Sequence, residues 1–216
     1  MSKYNKIIWD LDGTLLDTLD DLTDSTNAAL TAFHLPTRTR SEIRSYLGNG
    51  MMRLVERSVP DGKQHPQFRE IYSFFESHYA KNSRNKTKPF DGLEKVLPQL
   101  KGLGYRMAIV SNKADYLVKE LAELYYHDTI QIAIGEAAGI RRKPYPDTAL
   151  EAMRLLGAEK ATTVYIGDSE VDIATARNAG IDCLSVAWGF RDKTDLQASG
   201  AKHIVDTPED LLKYLK

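Results

Sequence analysis

Short apolar, β-branched runs alternate along this chain with segments whose apolar residues are three or four positions apart. Near-continuous apolar runs are typical of strands that are buried on both faces of a parallel sheet. The amphipathic segments are typical of helices, and glycine follows two of them, at Gly157 and Gly180, as it often does at helix C-termini. The alternation therefore predicts an α/β fold, with a Rossmann-like parallel sheet core flanked by helices.

Ligands of such open sheets bind beyond the carboxyl ends of the strands, so the polar residues there are the first candidates for function. The predicted strands, the last from a weaker pattern, are Lys6–Trp9, Met107–Val110, Thr163–Ile166, Cys183–Val186 and Ile130–Ile134. The predicted buried stripes of the intervening helices are Leu117, Leu121 and Leu124, then Leu150, Met153 and Leu156, then Val171, Ala174 and Ala179.

The alternation is interrupted between residues 18 and 85, where no β-rich run occurs and apolar residues recur at helical spacing. Within this stretch, Thr39 and Glu42 have the spacing of a capping box ahead of Ile43. We therefore expect two domains. An all-helical insertion, residues 18–85, follows the first strand of an α/β core domain that comprises residues 1–17 and 86–216.

Charge and cysteine content exclude several classes of function. The 216 residues contain 29 basic and 30 acidic side chains, for a formal net charge of -1, so no global positive field attracts nucleic acid or anionic lipid. The single cysteine, Cys183, excludes an internal disulfide and a metal cage built from cysteines. We find no signal peptide and no apolar run of the roughly 20 residues that cross a bilayer. We expect a cytoplasmic protein, a monomer or homodimer, that binds neither nucleic acid nor membrane.

The first polar motif, Asp10-Leu11-Asp12-Gly13-Thr14, follows the first predicted strand. Asp10 and Asp12 are two positions apart, so they project to the same side of an extended chain. Asp, Gly and Thr are also favoured in turns, and a turn without function remains an alternative at this point. The buried strand directly before the motif favours the functional interpretation.

A second motif, Ser111-Asn112-Lys113, follows the strand predicted over Met107–Val110. Capping of the next helix by Ser or Asn is the simpler interpretation. The functional interpretation uses the same atoms, because a hydroxyl and free backbone amides at a helix N-terminus form a phosphate-binding site.

Two further motifs lie in loops that lead into helices. Arg141 to Pro146 form a basic loop. A solvated surface cluster is the simpler interpretation, although the prolines stiffen the loop and could hold a lysine inward. Gly167-Asp168-Ser169 ends a strand, and Ser169 with Asp172 has the form of a helix start, so a capping role is a good alternative for Asp172. Asp168 precedes the cap and has no such alternative.

If these motifs follow neighbouring parallel strands, Asp10, Asp12 and Asp168 meet at one edge of the sheet. Two carboxylates ~4 Å apart repel each other by about 4 kcal/mol at an effective dielectric constant near 20, so three of them require a cation. Mg²⁺ is the natural occupant, because it prefers oxygen ligands. Donors supplied by Ser111, Asn112 and Lys143 opposite the metal would complete a site for a phosphoryl group.

Together, and in this order, the four motifs resemble those of the haloacid dehalogenase-like superfamily of aspartate-nucleophile phosphatases. The resemblance implies that Asp10 attacks phosphorus to form an aspartyl-phosphate and that Asp12 acts as general acid and then base. It implies that Asp10, the Asp12 carbonyl and Asp168 bind Mg²⁺, with Asp172 supporting them indirectly. It assigns phosphate binding to Ser111, Asn112 and Lys143, and to Thr14, which would also shape the loop after the nucleophile. It favours Lys143 over Lys113 as the catalytic lysine, and it implies that the helical insertion is a cap domain.

Within this superfamily, the segment from Tyr46 to Arg57 and the tail Ala187 to Arg191 look like those of phosphoglycolate phosphatases. The resemblance makes a small phosphorylated metabolite the expected substrate. It suggests that Arg44, Arg53 or Arg57 pairs with a small carboxylate and that the loop Gly48, Asn49 and Gly50 contributes to specificity. A solvated helix face explains the arginines equally well. A pyrophosphatase, a sugar-phosphate phosphatase and a phosphomutase remain alternatives, as does a phosphate-binding regulatory module without activity.

Overall fold

The computed structural model describes residues 3–215, which divide into two compact units. One unit comprises the chain up to Leu16 and from Pro89 onward, and the other comprises Asp17–Lys88. The predicted boundaries at residues 18 and 85 differ from these by one and three residues. Two short strands, β2 (Leu16–Asp17) and β3 (Lys88–Pro89), pair with each other where the chain passes from one unit to the other.

The larger unit contains a six-stranded sheet. Its strands are β1 (Lys6–Trp9), β4 (Arg106–Ala114), β5 (Ile132–Glu136), β6 (Thr163–Gly167), β7 (Asp182–Val186) and β8 (Ile204–Val205). Its helices are α5 (Leu93–Gly102), α6 (Asp115–Tyr126), α7 (Asp147–Leu156), α8 (Glu170–Ala179), α9 (Lys193–Ala198) and α10 (Leu211–Leu215), with short 3-10 turns over Lys160–Thr162 and Pro208–Asp210. The order of the strands is β5-β4-β1-β6-β7-β8, and every pairing is parallel.

This sheet confirms the predicted α/β class, and all five predicted strands are present. Sequence reasoning missed β8, because a strand of two residues has no recognisable alternation. It also ended the second strand too early, since β4 continues through Ser111, Asn112 and Lys113 to Ala114.

Apolar side chains bury both faces of the sheet. Along β1, Ile7 and Trp9 point into one core cluster with helices α5, α6 and α10, whereas Ile8 points into the other with α7 and α8. All three side chains are fully buried. Burial on both faces explains why the strands are continuously apolar instead of alternating.

Three residues of the predicted helical stripes lie outside the buried faces: Leu124, Leu150 and the partly exposed Ala174. Leu124 is 49% exposed and Leu150 is 40% exposed. The face that α7 buries is centred instead on Ala149, Ala152 and Leu156. A stripe assigned from large side chains alone misses alanines, which let a helix pack closely on a sheet.

The smaller unit is helical. It comprises α1 (Leu19–Ala32), α2 (Arg40–Tyr46), α3 (Met51–Ser58) and α4 (Phe68–Asn82), with a 3-10 turn over Gly62–Gln64. The predicted capping box is present, since the Thr39 hydroxyl accepts a hydrogen bond from Glu42 N and the Glu42 carboxylate accepts one from Thr39 N. Among residues 3–215, no helix has the length and apolar character needed to span a membrane.

Candidate active site

Three of the four polar motifs lie at the carboxyl ends of β4, β1 and β6, which are neighbours in the sheet, and the fourth lies in the loop between β5 and α7. Asp10 directly follows β1, and its backbone N–H donates to the carbonyl of Ile166 on β6 at 2.9 Å. Asp168 directly follows β6, so Asp10 and Asp168 are adjacent because their strands pair in register.

Three buried carboxylates converge at this edge of the sheet. One carboxylate oxygen from each of Asp10, Asp168 and Asp172 lies within 4.8 Å of the other two. The residues are 7%, 1% and 0% exposed, respectively. Sequence reasoning predicted a group of Asp10, Asp12 and Asp168 instead. The third side chain of the observed group is that of Asp172, because the first turn of α8 directs this carboxylate back towards the end of β6.

Asp172 also caps its own helix, as its sequence position suggested. Its Oδ2 accepts hydrogen bonds from Ser169 N at 3.1 Å and from Ser169 Oγ at 2.6 Å. Its other oxygen, Oδ1, lies 2.8 Å from the ammonium of Lys143. One carboxylate thus closes the capping box and contributes to the acidic group.

Lys143 is the cation of this group. Its side chain is 2% exposed, and its Nζ lies 2.8 Å from both Asp10 Oδ1 and Asp172 Oδ1. The Nζ also donates to the hydroxyl of Tyr165 on β6 at 3.1 Å. Sequence reasoning did not identify Tyr165, since an apolar strand position conceals the single hydroxyl that faces the site.

The pKa values reflect this crowding. Burial raises the pKa of Asp10 well above its usual range, Asp172 and Asp168 add to the effect, and Lys143 opposes it. Burial, with a contribution from Asp172, raises the pKa of Asp168 to about 7. For Lys143, burial favours the neutral form, but Asp10 and Asp172 outweigh it and raise the pKa well above the ordinary value. The lysine therefore stays charged, whereas burial and the neighbouring carboxylates disfavour the ionised forms of Asp10 and Asp168.

Two donors fix the carboxylate of Asp168. The Thr14 hydroxyl donates to its Oδ1 at 3.1 Å, and the backbone N–H of Phe190 donates to its Oδ2 at 2.7 Å. Thr14 is fully buried and its hydroxyl donates to Asp168, so the structure shows it as a support for that carboxylate. Its place among the phosphate-binding residues stays a prediction. Gly13 has φ +86, and a Cβ there would lie 2.4 Å from Asp168 Oδ2, so only glycine fits.

Asp12 is separate from this acidic group. Its carboxylate oxygen Oδ1 lies 2.8 Å from Nζ of Lys113, and its side chain is 21% exposed whereas that of Lys113 is 2% exposed. Sequence reasoning gave Lys113 less weight than Lys143 because it lacks the Lys-Pro pair. The side chain is as deeply buried as that of Lys143, and only the three-dimensional structure reveals that it reaches Asp12.

The motif around Ser111 is part of a strand and does not cap a helix. Helix α6 begins at Asp115, with Ala114 as its N-cap, so the predicted helix N-terminus lies beyond the motif. Ser111 is 3% exposed, and its Oγ accepts a hydrogen bond from Lys113 N at 3.2 Å.

The side chain of Asn112 holds the loop that carries Lys143. Its Nδ2 donates to the carbonyl of Lys143 at 3.0 Å, and its Oδ1 accepts from the N–H of Lys143 at 2.8 Å. This pair of bonds uses one N–H and one lone pair of the side-chain amide. The amide thereby positions the backbone of the lysine, whose peptide bond to Pro144 is cis.

The residues predicted to determine specificity all belong to the helical unit. Gly48 and Gly50 have φ +103 and +82, and Asn49 lies between them ahead of α3. Arg53 pairs with Glu56 at 2.6 Å, and Arg57 donates to the carbonyl of Tyr46 at 3.0 Å. Their role in recognising a substrate stays a prediction.

The donor set of the acidic group fits a small divalent cation. It offers only oxygen, the ligand atom that Mg²⁺ prefers. Oxygens around an octahedral Mg²⁺ are about 3 Å apart when adjacent and about 4 Å apart when opposite. The three carboxylate oxygens here lie within 4.8 Å of one another. Lys143 supplies one positive charge within hydrogen-bonding distance of two of the three buried carboxylates. A cation among Asp10, Asp168 and Asp172 would balance the remaining charge and oppose the effect of burial on the pKa values of Asp10 and Asp168.

Comparisons with known proteins agree with this geometry. The model of the haloacid dehalogenase-like hydrolase family matches residues 7–186. Among curated relatives, the phosphoglycolate phosphatase of Nitrosococcus oceani is 30% identical over 93% of this chain and 92% of its own length. That of Psychrobacter arcticus is 31% identical over 97% of this chain and 94% of its own. A solved structure from Lactobacillus delbrueckii subsp. bulgaricus, provisionally named a phosphoglycolate phosphatase, has a TM-score of 0.93 and 36% identity over 99% of both chains.

Proposed function

This chain belongs to the haloacid dehalogenase-like hydrolase family, and we propose that it is a Mg²⁺-dependent phosphatase that acts through an aspartyl-phosphate on Asp10. The observation that carries the proposal is the buried group of Asp10, Asp168 and Asp172 with the ammonium of Lys143 against two of its members. A fold does not need such a concentration of charge in its interior, whereas phosphoryl transfer does, because negative charge must be neutralised at the reacting phosphorus.

In the first step, an oxygen of Asp10 forms a bond to phosphorus while the ester P–O bond breaks. Asp12 gives its proton to the departing oxygen, so the alcohol leaves neutral. In the second step, Asp12 takes a proton from a water molecule, whose oxygen forms a bond to phosphorus as the bond to Asp10 breaks. Inorganic phosphate leaves, and both aspartates return to their starting state.

The division of labour follows from the surroundings of the two aspartates. Asp10 is buried beside the ammonium of Lys143, which favours its carboxylate form, and a cation bound there would favour that form further. Asp12 lies outside the acidic group and is partly exposed, so it can exchange protons with substrate and water. Lys143 neutralises charge near the nucleophile, and the Ser111 hydroxyl and Asn112 N–H are the proposed donors to phosphoryl oxygens.

Asp10, the backbone carbonyl of Asp12 and Asp168 would hold the Mg²⁺, with Asp172 beside them. When bound, the cation would supply positive charge beside the phosphoryl oxygens and so lower the repulsion between them and the nucleophilic carboxylate as it approaches phosphorus. The side chain of Thr14 and the N–H of Phe190 keep Asp168 in place for this purpose.

We propose a small phosphorylated metabolite as the substrate, and 2-phosphoglycolate as the leading candidate. We propose the cytoplasm as the site of action. The support comes from the curated relatives, which are named phosphoglycolate phosphatases and match nearly the whole chain. We propose that the helical unit, residues 17–88, is a cap domain that selects the leaving group, with Gly48, Asn49, Gly50, Arg53 and Arg57 as candidates.

Phosphate release from a panel of small phosphorylated metabolites, with Mg²⁺ and with EDTA, tests this function. We expect Mg²⁺-dependent release, fastest from 2-phosphoglycolate. The panel should include pyrophosphate and hexose phosphates, because preferential hydrolysis of either would replace the proposed substrate. Conversion of a sugar phosphate to its isomer without steady phosphate release would indicate a mutase. Absence of release from every compound would contradict the phosphatase assignment.

A further inference from the structure

The ion pair between Lys113 and Asp12 is a second buried charge contact at this edge of the sheet. The two residues are 101 positions apart, and their Nζ and Oδ1 atoms are 2.8 Å apart. Lys113 is 2% exposed at its side chain, and its ammonium group contacts the carboxylate of Asp12. A lysine is rarely this deeply buried unless its ammonium has a specific partner.

The backbone of Lys113 is held firmly. Lys113 is the penultimate residue of β4, where the register with β5 shifts between Val110 and Ala114. Gly135 of β5 packs so closely there that a Cβ would lie 2.6 Å from the carbonyl oxygen of Lys113. The Asp115 carboxylate accepts a hydrogen bond from Gly135 N at 2.9 Å and ties the two segments together. The ammonium of Lys113 therefore extends from a rigid base.

Asp12, in contrast, lies in a loop. It is followed by Gly13, whose φ is +86, and its short-range contact is an isolated bridge to Leu16. An aspartate beside a glycine in a partly exposed loop can adopt several side-chain orientations, of which only some bring its carboxyl within about 3 Å of a departing oxygen. Lys113 restricts that choice.

We propose that Lys113 is a positioning residue that holds the carboxyl group of Asp12 in line with the leaving oxygen of the substrate. The inference rests on the proposed function, in which Asp12 protonates that oxygen. It does not make Lys113 a phosphate ligand, and it gives the two buried lysines different roles. Lys143 serves the nucleophile, and Lys113 serves the proton donor.

The leaving group distinguishes these two roles. An alkoxide such as that of glycolate leaves slowly unless it is protonated, whereas p-nitrophenolate leaves readily without a proton. A residue that only positions the proton donor should therefore matter for alkyl phosphates and hardly at all for p-nitrophenyl phosphate. General structural damage would slow the reactions of both.

The experiment measures single-turnover rates with the enzyme in excess over 2-phosphoglycolate and over p-nitrophenyl phosphate, in saturating Mg²⁺. General acid catalysis contributes roughly 100- to 10,000-fold, so partial loss of alignment in Lys113→Met should slow 2-phosphoglycolate by about 10- to 100-fold. The rate with p-nitrophenyl phosphate should change by less than about threefold. Lys113→Arg, which keeps the charge, should recover part of the loss and also serves if the methionine variant folds poorly.

Lys119→Met is the matched control. Lys119 forms an exposed ion pair with Asp115 on α6, at 62% side-chain exposure, and should affect neither rate. In an Asp12→Asn background, Lys113→Met should cause no further change in the ratio of the two rates, because the group it positions can no longer donate a proton.

An equal loss with both substrates, no loss with either, or an additive effect in the Asp12→Asn background would overturn the positioning role. If Asp12→Asn alone selectively slows 2-phosphoglycolate and Lys113→Met does not, the inference fails while the proposed function stands. If the wild-type protein hydrolyses neither ester, the proposed function itself fails, and the inference fails with it.

Discussion

The ammonium nitrogen of Lys143 lies 2.8 Å from Oδ1 of Asp10, and both side chains are buried. The contact joins a residue directly after β1 to a loop more than a hundred positions later. It sets a positive charge against the carboxylate that we assign as nucleophile. The first prediction follows from removing that charge.

Lys143→Met should destabilise the metal-free protein, because it leaves Asp10 and Asp172 buried without their cation. Breaking a buried pair in this way costs about 3–5 kcal/mol, or a fall of roughly 10 °C in Tm for a chain of this size. Thermal unfolding by circular dichroism measures the change. Lys193→Met, which breaks an exposed pair with Asp206, is the control and should shift the free energy of unfolding by less than about 1 kcal/mol. Equal Tm values for the two variants would contradict this account of Lys143.

Asp10→Asn should abolish turnover and leave the fold intact. The substitution keeps the size of the side chain but removes the nucleophile, so phosphate release should fall by at least about 1,000-fold. The metal-free protein should be as stable as the wild type or more so, because one of three crowded carboxylates is gone. Phosphate release and circular dichroism, measured on the same sample, provide the test. Substantial residual turnover would remove Asp10 from the nucleophilic role.

The stability of the metal-free protein should fall as the pH rises through about 7, the folded-state pKa of Asp168. This pKa is raised above the value in the unfolded chain, so the folded state binds the proton more tightly. The resulting stabilisation is present at low pH and is lost as the carboxyl ionises. Mg²⁺ binds the ionised form and should therefore raise Tm more at pH 8 than at pH 6. Thermal unfolding in EDTA and in Mg²⁺, at pH 6 and at pH 8, provides the test. An equal rise in Tm with Mg²⁺ at the two pH values would count against the proposed metal site.

Gly189→Ala should weaken Mg²⁺ binding as well as stability. A Cβ at this position would lie 2.3 Å from both Asp168 Cβ and the carbonyl oxygen of Gly13, so the loop would have to shift. Such overpacking costs about 1–3 kcal/mol. Gly102→Ala is the control, since no heavy atom lies within 4 Å of its added Cβ. Titration calorimetry with Mg²⁺ should show weaker binding only for Gly189→Ala, and unchanged affinity would exclude a role for this loop in holding Asp168.

The sequence by itself determined the class of fold, most strand positions and the identity of the polar groups at the strand ends. These features are local. Burial on both faces makes a strand such as Lys6–Trp9 continuously apolar, and the strand end that follows must then carry the polar residues. The same local logic identified the capping pairs Thr39 with Glu42 and Ser169 with Asp172, because each pair is three positions apart.

Only the tertiary structure decided which of those groups touch. Asp172 takes the place expected for the Asp12 side chain, Thr14 binds Asp168, and Lys113 reaches Asp12. These contacts join residues on different strands and loops, so they depend on the order of strands in the sheet and on the direction of each side chain. The order of the strands and the direction of each side chain leave no periodic signal along the chain. A contact between residues more than a hundred positions apart depends on how distant segments pack, which local spacing does not encode.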